Sequence, residues 1–413
     1  MIAKILRIAY VVILVSLAGC ADIASLLSTP TAVPVPHVTS TSQPTLPATK
    51  TALPPVEARV LRVWLPPRFD PNANTTAAIL LKKRLADFET SHPGLEIEVR
   101  IKAEAGETGL FNALSITSIA APTALPDLIA LSRPDLEAAA LKGLLHPIDG
   151  LSTVLQEPDW YPYARDLGHI QNIGYGLPFA VDALVMVHRP ELEIKTWNDI
   201  FSSEESLVFP VSDPQALVAL SLYVSAGGEL VDDQGLPTLE EGPLTQTLTL
   251  IANGLEEHAF LPAMINYETD AQSLQAYREG RANLAITWAV NYHPVDDGIL
   301  QPIPNLNGTP HTFAIGWIWA LAGSDPENQQ VASELAEYLI ADDFVSNWSE
   351  NTGYLPSRLS QDSGINSILE SAHVLPSNEV LGVLGPIMDQ ALIRVLNGDQ
   401  VVSVVQSVME QVK

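Results

Sequence analysis

Residues 168–192 read GHIQNIGYGLPFAVDALVMVHRPEL. The stretch opens polar, turns at Gly174-Tyr175-Gly176 and passes through Leu177-Pro178-Phe179-Ala180. It then runs Ala183-Leu184-Val185-Met186-Val187 with no polar residue. An unbroken apolar run of this length, bounded by turn signals, reads as a strand of the fully buried kind.

Upstream, Val60-Leu-Arg-Val-Trp64 reads as a first strand, closed by Leu65-Pro66-Pro67. Residues 77–91 carry Ile79, Leu80, Leu81, Leu85 and Phe88 at helical spacing and stop at His92-Pro93-Gly94. Leu95 to Ile101, LEIEVRI, alternates with period two. Strand, helix, Pro-Gly and strand make a βαβ unit, which implies a parallel sheet. Leu125 to Leu131 is the next buried strand, followed by a helix over 135–141 and a Gly143-Leu-Leu-His-Pro-Ile-Asp149 turn. Downstream, Lys195-Thr-Trp-Asn-Asp-Ile200 starts a helix with Thr196 as its N-cap. Helices are expected over 216–226, 244–257, 273–279 and 328–340, with a terminal pair over 387–396 and 402–412. Leu284 to Trp288 and Phe313 to Ala320 are further strands.

These segments, taken in order, resemble the extracellular solute-binding proteins of the family 1 type, the receptors that deliver ligands to ABC importers. Tyr175-Gly-Leu-Pro178 before a hydrophobic strand is similar to that family's first crossover between lobes. The "PD" strand with its G-L-L-x-P turn, the T-W helix start and the segment from Tyr277-Arg-Glu-Gly280 to Trp288 carry the likeness. So does Asn351-Thr-Gly-Tyr-Leu-Pro356, and the resemblance spans Arg59 to Lys413. It implies a two-lobe α/β fold, each lobe a mainly parallel sheet flanked by helices, with crossover strands as a hinge. The expected lobes are 59–181 with 317–350, and 182–316 with 351–413.

The N-terminus reads as an export signal over 1–19: Lys4 and Arg7, then an apolar run from Ile8 to Leu17. That run falls short of the ~20 residues of a membrane span. It ends in Leu17-Ala-Gly-Cys20, which resembles the bacterial lipoprotein box, so Cys20 is the expected lipidation site and membrane anchor. Cys20 is also the only cysteine, which excludes an intramolecular disulfide. Residues 20–58 follow as a tether, rich in Thr and Pro from Ser28 to Glu57 and without apolar periodicity.

At 413 residues the chain is long enough for two cores, and 47% of it is hydrophobic. A net charge of −27 argues against nucleic acid and other phosphate-rich partners. GxSxG, HExxH, P-loop and GxGxxG patterns are missing, so no enzyme is read here and no cofactor or metal is expected. Asp232-Asp-Gln-Gly235 reads as a turn rather than a calcium loop, and Glu256-Glu257-His258 as a solvated helix end.

The candidate contacts are aromatic and acidic. Trp64 and Trp288 stand at strand ends, where open α/β sheets present ligand sites, and an indole face stacks on the apolar face of a sugar ring. The resemblance also places Trp64 and Trp288 on cleft positions, and Asp182 where sugar-binding relatives carry a polar or acidic residue. Trp317, on the second crossover strand, and Tyr292 complete the expected ligand set; core packing is the alternative for each tryptophan. Leu131 and Gly385 stand where the maltose-binding branch places aromatic residues, which argues for a small sugar or another polar ligand. The resemblance thus implies a monomeric lipoprotein outside the membrane that captures a small polar solute, by preference a carbohydrate, and delivers it to a permease. Two other readings stand beside it: a secreted hydrolase on a lipoprotein stalk, and a two-lobe ligand sensor uncoupled from transport.

Overall fold

The computed structural model describes residues 59–292, 297–306, 310–359 and 363–412. The expected signal peptide, Cys20 and the tether lie outside the described residues. Eleven strands are present among those described: β1 (Arg59–Leu65), β2 (Leu95–Ile101), β3 (Leu128–Ser132), β4 (His169–Ile170), β5 (Ile173–Gly174) and β6 (Gly176–His188) in the first part. They continue with β7 (Leu207–Val208), β8 (Leu284–Trp288), β9 (Ile299–Gln301), β10 (Thr312–Leu321) and β11 (Ala372–Val374).

β6 is the strand expected from residues 168–192, and all thirteen of its residues are buried. Each Val, Leu or Met removed from water in this way contributes about 1.5–3 kcal/mol, which makes the strand a strong organiser of what packs on it. It pairs antiparallel with β10 along most of its length, from Gly176 against Ala320 to Ala183 against Ala314. These two crossover strands run in opposite directions and form the axis of a single sheet, ordered β2-β1-β3-β10-β6-β8-β7. β11 joins on β10 and β9 on β6. Within each half the outer strands pair in parallel, β1 with β2 and β3, and β7 with β8. The expected parallel sheets are therefore the wings of one mixed sheet. Hydrogen bonding through β6 and β10 carries the ladder across both lobes.

Helices cover the sheet and create two separate cores. The first gathers Val63, Leu128, Ile318 and Leu335, and the second Met186, Leu248, Ile286 and Leu392. Membership changes along the crossovers: Ala183 and Val185 belong to the first core, Leu184, Met186 and Val187 to the second, Phe313 to the second and Ala314 to the first. Tyr354, Leu355, Ile368 and Ala372 pack on the first core, and the second resumes at Val380.

Local chemistry explains most helix ends. Thr75 caps the helix Thr76–Ser91 by accepting from the Ala78 amide, and Thr196 with Asp199 forms a reciprocal capping box on Trp197–Ser202. The terminal helix starts earlier than expected and spans Asn378–Leu396, with Pro386 inside it. Proline removes a donor there, but its would-be acceptor Gly382 is exposed, so water can satisfy that carbonyl. The helix Leu110–Ala120, short on charge, and the helix Asp342–Thr352 were not expected from the pattern. Asp232–Gly235 is a turn: Gly235 donates to the Asp232 carbonyl, and the Asp232 carboxylate accepts from the Gln234 and Leu236 amides.

Candidate functional site

The C-terminal ends of β7 and β8 open on one side of the second lobe, where open α/β sheets present ligand sites. A cavity of about 140 Å³ lies there, lined among others by Pro210, Asp213, Gln215, Glu268, Asp270 and Trp288. At about 30 Å³ per water this holds roughly five waters, or about one small ring.

Two helix starts shape its wall. Asp213 stands in the turn after β7, where its two carboxylate oxygens accept from the Gln215 amide (3.0 Å) and the Leu217 amide (3.1 Å). Those bonds hold the carboxylate at the N-terminus of the helix Leu217–Ser225, where the helix dipole favours negative charge. Asp270 opens the helix Asp270–Arg278, and its Oδ2 accepts from the Thr287 hydroxyl (2.9 Å), the Trp288 amide (3.1 Å) and the Asn291 side chain. One carboxylate thus fixes the end of β8 and the backbone that carries the Trp288 indole. The charged groups of the lining, Asp213, Glu268 and Asp270, are all acidic. Carboxylates accept from hydroxyls and an indole face stacks on C–H groups, so the wall suits a polyhydroxylated ring.

Gly385 fits this arrangement. A Cβ on it would lie 2.5 Å from the Pro214 carbonyl oxygen and 2.8 Å from the Gln215 Cα. The glycine lets the long terminal helix press against the cavity wall where the resemblance would have had an aromatic ring. Leu131 is wholly buried in the first core.

Of the five residues expected at the ligand, Trp288 lines this cavity. Asp182 is its neighbour, since Leu184 of β6 pairs with Trp288 of β8. The Asp182 side chain is only 3% exposed, however, and its Oδ1 accepts from the Ala183 amide (2.9 Å) and the Val290 amide (3.0 Å). Burial pushes its pKa up to about 8, and the backbone donors offset only part of that. Trp64 is 1% exposed in the first core, with the Lys102 ammonium 4.9 Å from its ring centre. Trp317 packs edge-on against Phe69 at 5.5 Å, with the Arg68 guanidinium 5.5 Å from its ring. Arg68 in turn forks onto Glu104 and donates to the Tyr354 hydroxyl. Tyr292 spends its hydroxyl on Gly298, donating to the carbonyl at 2.7 Å and accepting from the amide at 3.1 Å.

Asp213, Gln215 and Asp270 were missed from sequence. The signals were local: Ser212-Asp213-Pro214 between a strand and a helix is an Asx-type turn, and Thr269 with Gln272 is a capping pattern, the Thr269 amide donating to Gln272 Oε1. Neither signal says that the carboxylate of Asp213 or Asp270 also faces a cavity.

The described chain thus defines a two-lobe α/β receptor fold with a small acidic and aromatic cavity at strand ends. The model of the bacterial extracellular solute-binding proteins matches residues 83–366, more than half of the chain, and the protein belongs to that family. No curated protein sequence matches it. Among solved structures it is similar to the cyclic α-maltosyl-1,6-maltose binding protein from Arthrobacter globiformis, at 14% identity and a TM-score of 0.68 over 86% of this chain and 98% of that one. It is also similar to the sugar-binding protein MalE from Xanthomonas citri, at 18% identity and a TM-score of 0.67 over 86% and 96%. Maltose-bound MalE3 of T. maritima aligns at 15% identity and a TM-score of 0.61 over 86% and 98%.

Proposed function

We propose that this solute-binding protein captures a small carbohydrate between its lobes and delivers it to an ABC-importer permease, without chemistry on the ligand. The observation that carries the reading is the union of the Trp288 indole with the Asp213 and Asp270 carboxylates in one cavity at the strand ends of β7 and β8. The neighbours support it: two of the three described above are named for maltose or a maltosyl ring. Contacts from both lobes would favour a closed state about the β6–β10 axis, which the permease would recognise. Lobe boundaries follow core membership in this proposal, near 183–186, 313/314 and 374/375, so that the segment from Tyr354 to Val374 goes with the first lobe. Cys20 is the acylated N-terminus of a monomer held to the membrane by its lipid and carried on the Thr/Pro-rich tether.

Titration calorimetry of the mature chain with glucose, maltose and maltotriose tests the ligand class. One of these sugars should bind, and tryptophan fluorescence should respond less in Trp288→Phe than in wild type. Silence toward a broad mono- and disaccharide panel, with binding of an amino acid or peptide instead, would sink the carbohydrate reading. Cys20→Ala should leave the membrane fraction; a normally processed variant that stays there would exclude the anchor.

A further inference from the structure

The strand registers aim both halves of the sheet at one gap. β3 runs toward the second lobe and ends at Ser132, opposite Trp317, which in turn stands opposite Ala180 of β6. β1 and β2 run beside it in the same direction, Trp64 level with Ile129 and Leu65 with Ile101. β8 runs the other way along β6 and ends at Trp288, opposite Leu184. From Ala180 to Leu184 is roughly 13 Å of strand at about 3.3 Å a residue. The strand ends of the first lobe therefore face those of the second across that gap, and open α/β sheets bind ligands at such ends. The Trp288 cavity supplies one side only, since its lining runs from Leu184 to Trp288.

On the other side, Arg68 follows β1 and Glu104 follows β2. The Arg68 Nε and Nη2 donate to the two Glu104 carboxylate oxygens at 2.6 and 2.7 Å, and Nη1 donates to the Tyr354 hydroxyl at 2.5 Å. The guanidinium lies 5.5 Å from the Trp317 ring centre, so the indole expected at the ligand backs this group instead. Three of the five N–H groups of Arg68 are spent on these bonds among the described residues, and two are left on a side chain that is 41% exposed. Tyr354 also ties the group to the second lobe. It follows Gly353, where a Cβ would lie 3.1 Å from the carbonyl oxygen of Val290, two residues past Trp288. A guanidinium held on three sides, with donors to spare, is a fixed and specific contact for oxygen acceptors.

We propose that Arg68, held by Glu104 and Tyr354, is the first lobe's contact with the ligand, and that the ligand is a sugar of at least two rings. The proposal rests on the carbohydrate reading of the Trp288 cavity. That cavity has room for about one ring, so a ligand that also reaches the guanidinium across the gap needs a second. The first ring stacks on Trp288 and gives its hydroxyls to Asp213 and Asp270. The second takes the two spare N–H groups of Arg68 on its hydroxyl oxygens, which sets the preference for chain length.

Calorimetry of the mature chain with glucose and maltose reads the proposal as a ratio of affinities, which does not depend on the fraction of a variant that folds. Wild type should bind maltose about tenfold or more tighter than glucose, the range for a hydrogen bond to a charged group. Arg68→Gln should abolish that preference, weakening maltose by about the same factor and leaving glucose within about twofold. Arg68→Lys keeps the charge but not the fork, so it should recover only part of the preference. Trp288→Ala should instead weaken both sugars alike. A wild type that binds glucose as tightly as maltose, or an Arg68→Gln variant that keeps the preference, overturns the proposal and leaves the carbohydrate reading standing. A wild type that binds neither sugar overturns it as well, and the broad saccharide panel then tells whether the carbohydrate reading falls with it.

Discussion

Trp64 and Trp288 hold matching places in the two halves of the molecule, each at the C-terminal end of a strand that pairs in parallel with its neighbour. Their surroundings differ. Trp64 is followed by Leu65 and a short turn, Pro67–Phe69, that folds Phe69 back onto Phe179, Trp317 and Trp348. With Lys102 against its ring, the first tryptophan is sealed into the core at 1% exposure. Trp288 is the last residue of β8, and the chain turns away at once through Ala289–Asn291. Asp270 ties that turn to a helix start and leaves the indole partly open on the cavity. A strand end is therefore only an opportunity. Whether the ring there meets ligand or core is decided by the few residues that follow.

The sharpest way to break this comparison is to truncate both rings. Trp64→Ala should cost about 3–5 kcal/mol as a buried large-to-small change. That corresponds to a fall of roughly ten degrees or more in the melting temperature of a lobe this size. Trp288→Ala should shift the apo melting temperature little but weaken sugar binding about tenfold, the loss of stacking together with buried area. Calorimetry and sugar titration on both variants check this, and an inverted pattern would mean that the first lobe carries the open face.

Asp182, which sits between these environments on β6, should give the next effect. Its folded pKa of about 8 lies above the ~3.9 of an unfolded aspartate, so the native state keeps a proton that the unfolded chain releases. Its stabilising contribution is then full below about pH 4 and lost as pH rises through about 8. Asp182→Asn keeps the Oδ1 acceptor used by Ala183 and Val290 and removes the titration. Melting curves from pH 5 to 8.5 should be flatter for the variant, and it should gain roughly 1–3 kcal/mol over wild type at the high end. Parallel curves would show that the carboxylate is solvated and ionised throughout, and would return it to the list of ligand contacts.

Gly385→Ala probes the other wall of the second-lobe cavity. Its new Cβ meets backbone atoms, not a flexible side chain that could swing away, so strain of about 1–3 kcal/mol is expected, the usual range for overpacking. The Pro214–Gln215 turn should move with it and weaken sugar binding. Unchanged affinity alongside the stability loss would separate that turn from the ligand. The smallest effect should come from removing the N-terminal segment. A chain starting at Arg59 should melt within about two degrees of the mature form, because the Thr/Pro-rich composition buries too little apolar surface to offset chain ordering. A larger drop would show that the tether packs on a lobe.

Read as a string, the chain determined its longer strands, most of its helices and its family, but not the two- and three-residue strands β4, β5, β7, β9 and β11. Ala183 to Val187 read as a buried strand, Leu95 to Ile101 alternated, and Thr196 capped a helix from its own immediate neighbours. Those signals are local, set by side-chain period and by hydrogen bonds within one turn. The tertiary structure decided everything that depends on which atoms meet across the chain. It sealed Trp64 into the first core with Lys102 on its ring, drew Asp182 onto the Val290 amide, and turned two carboxylates near helix starts, Asp213 and Asp270, into the wall of a cavity. Burial and pairing between segments more than a hundred residues apart leave no period in the sequence, so the residue types at the site were legible but their roles were not.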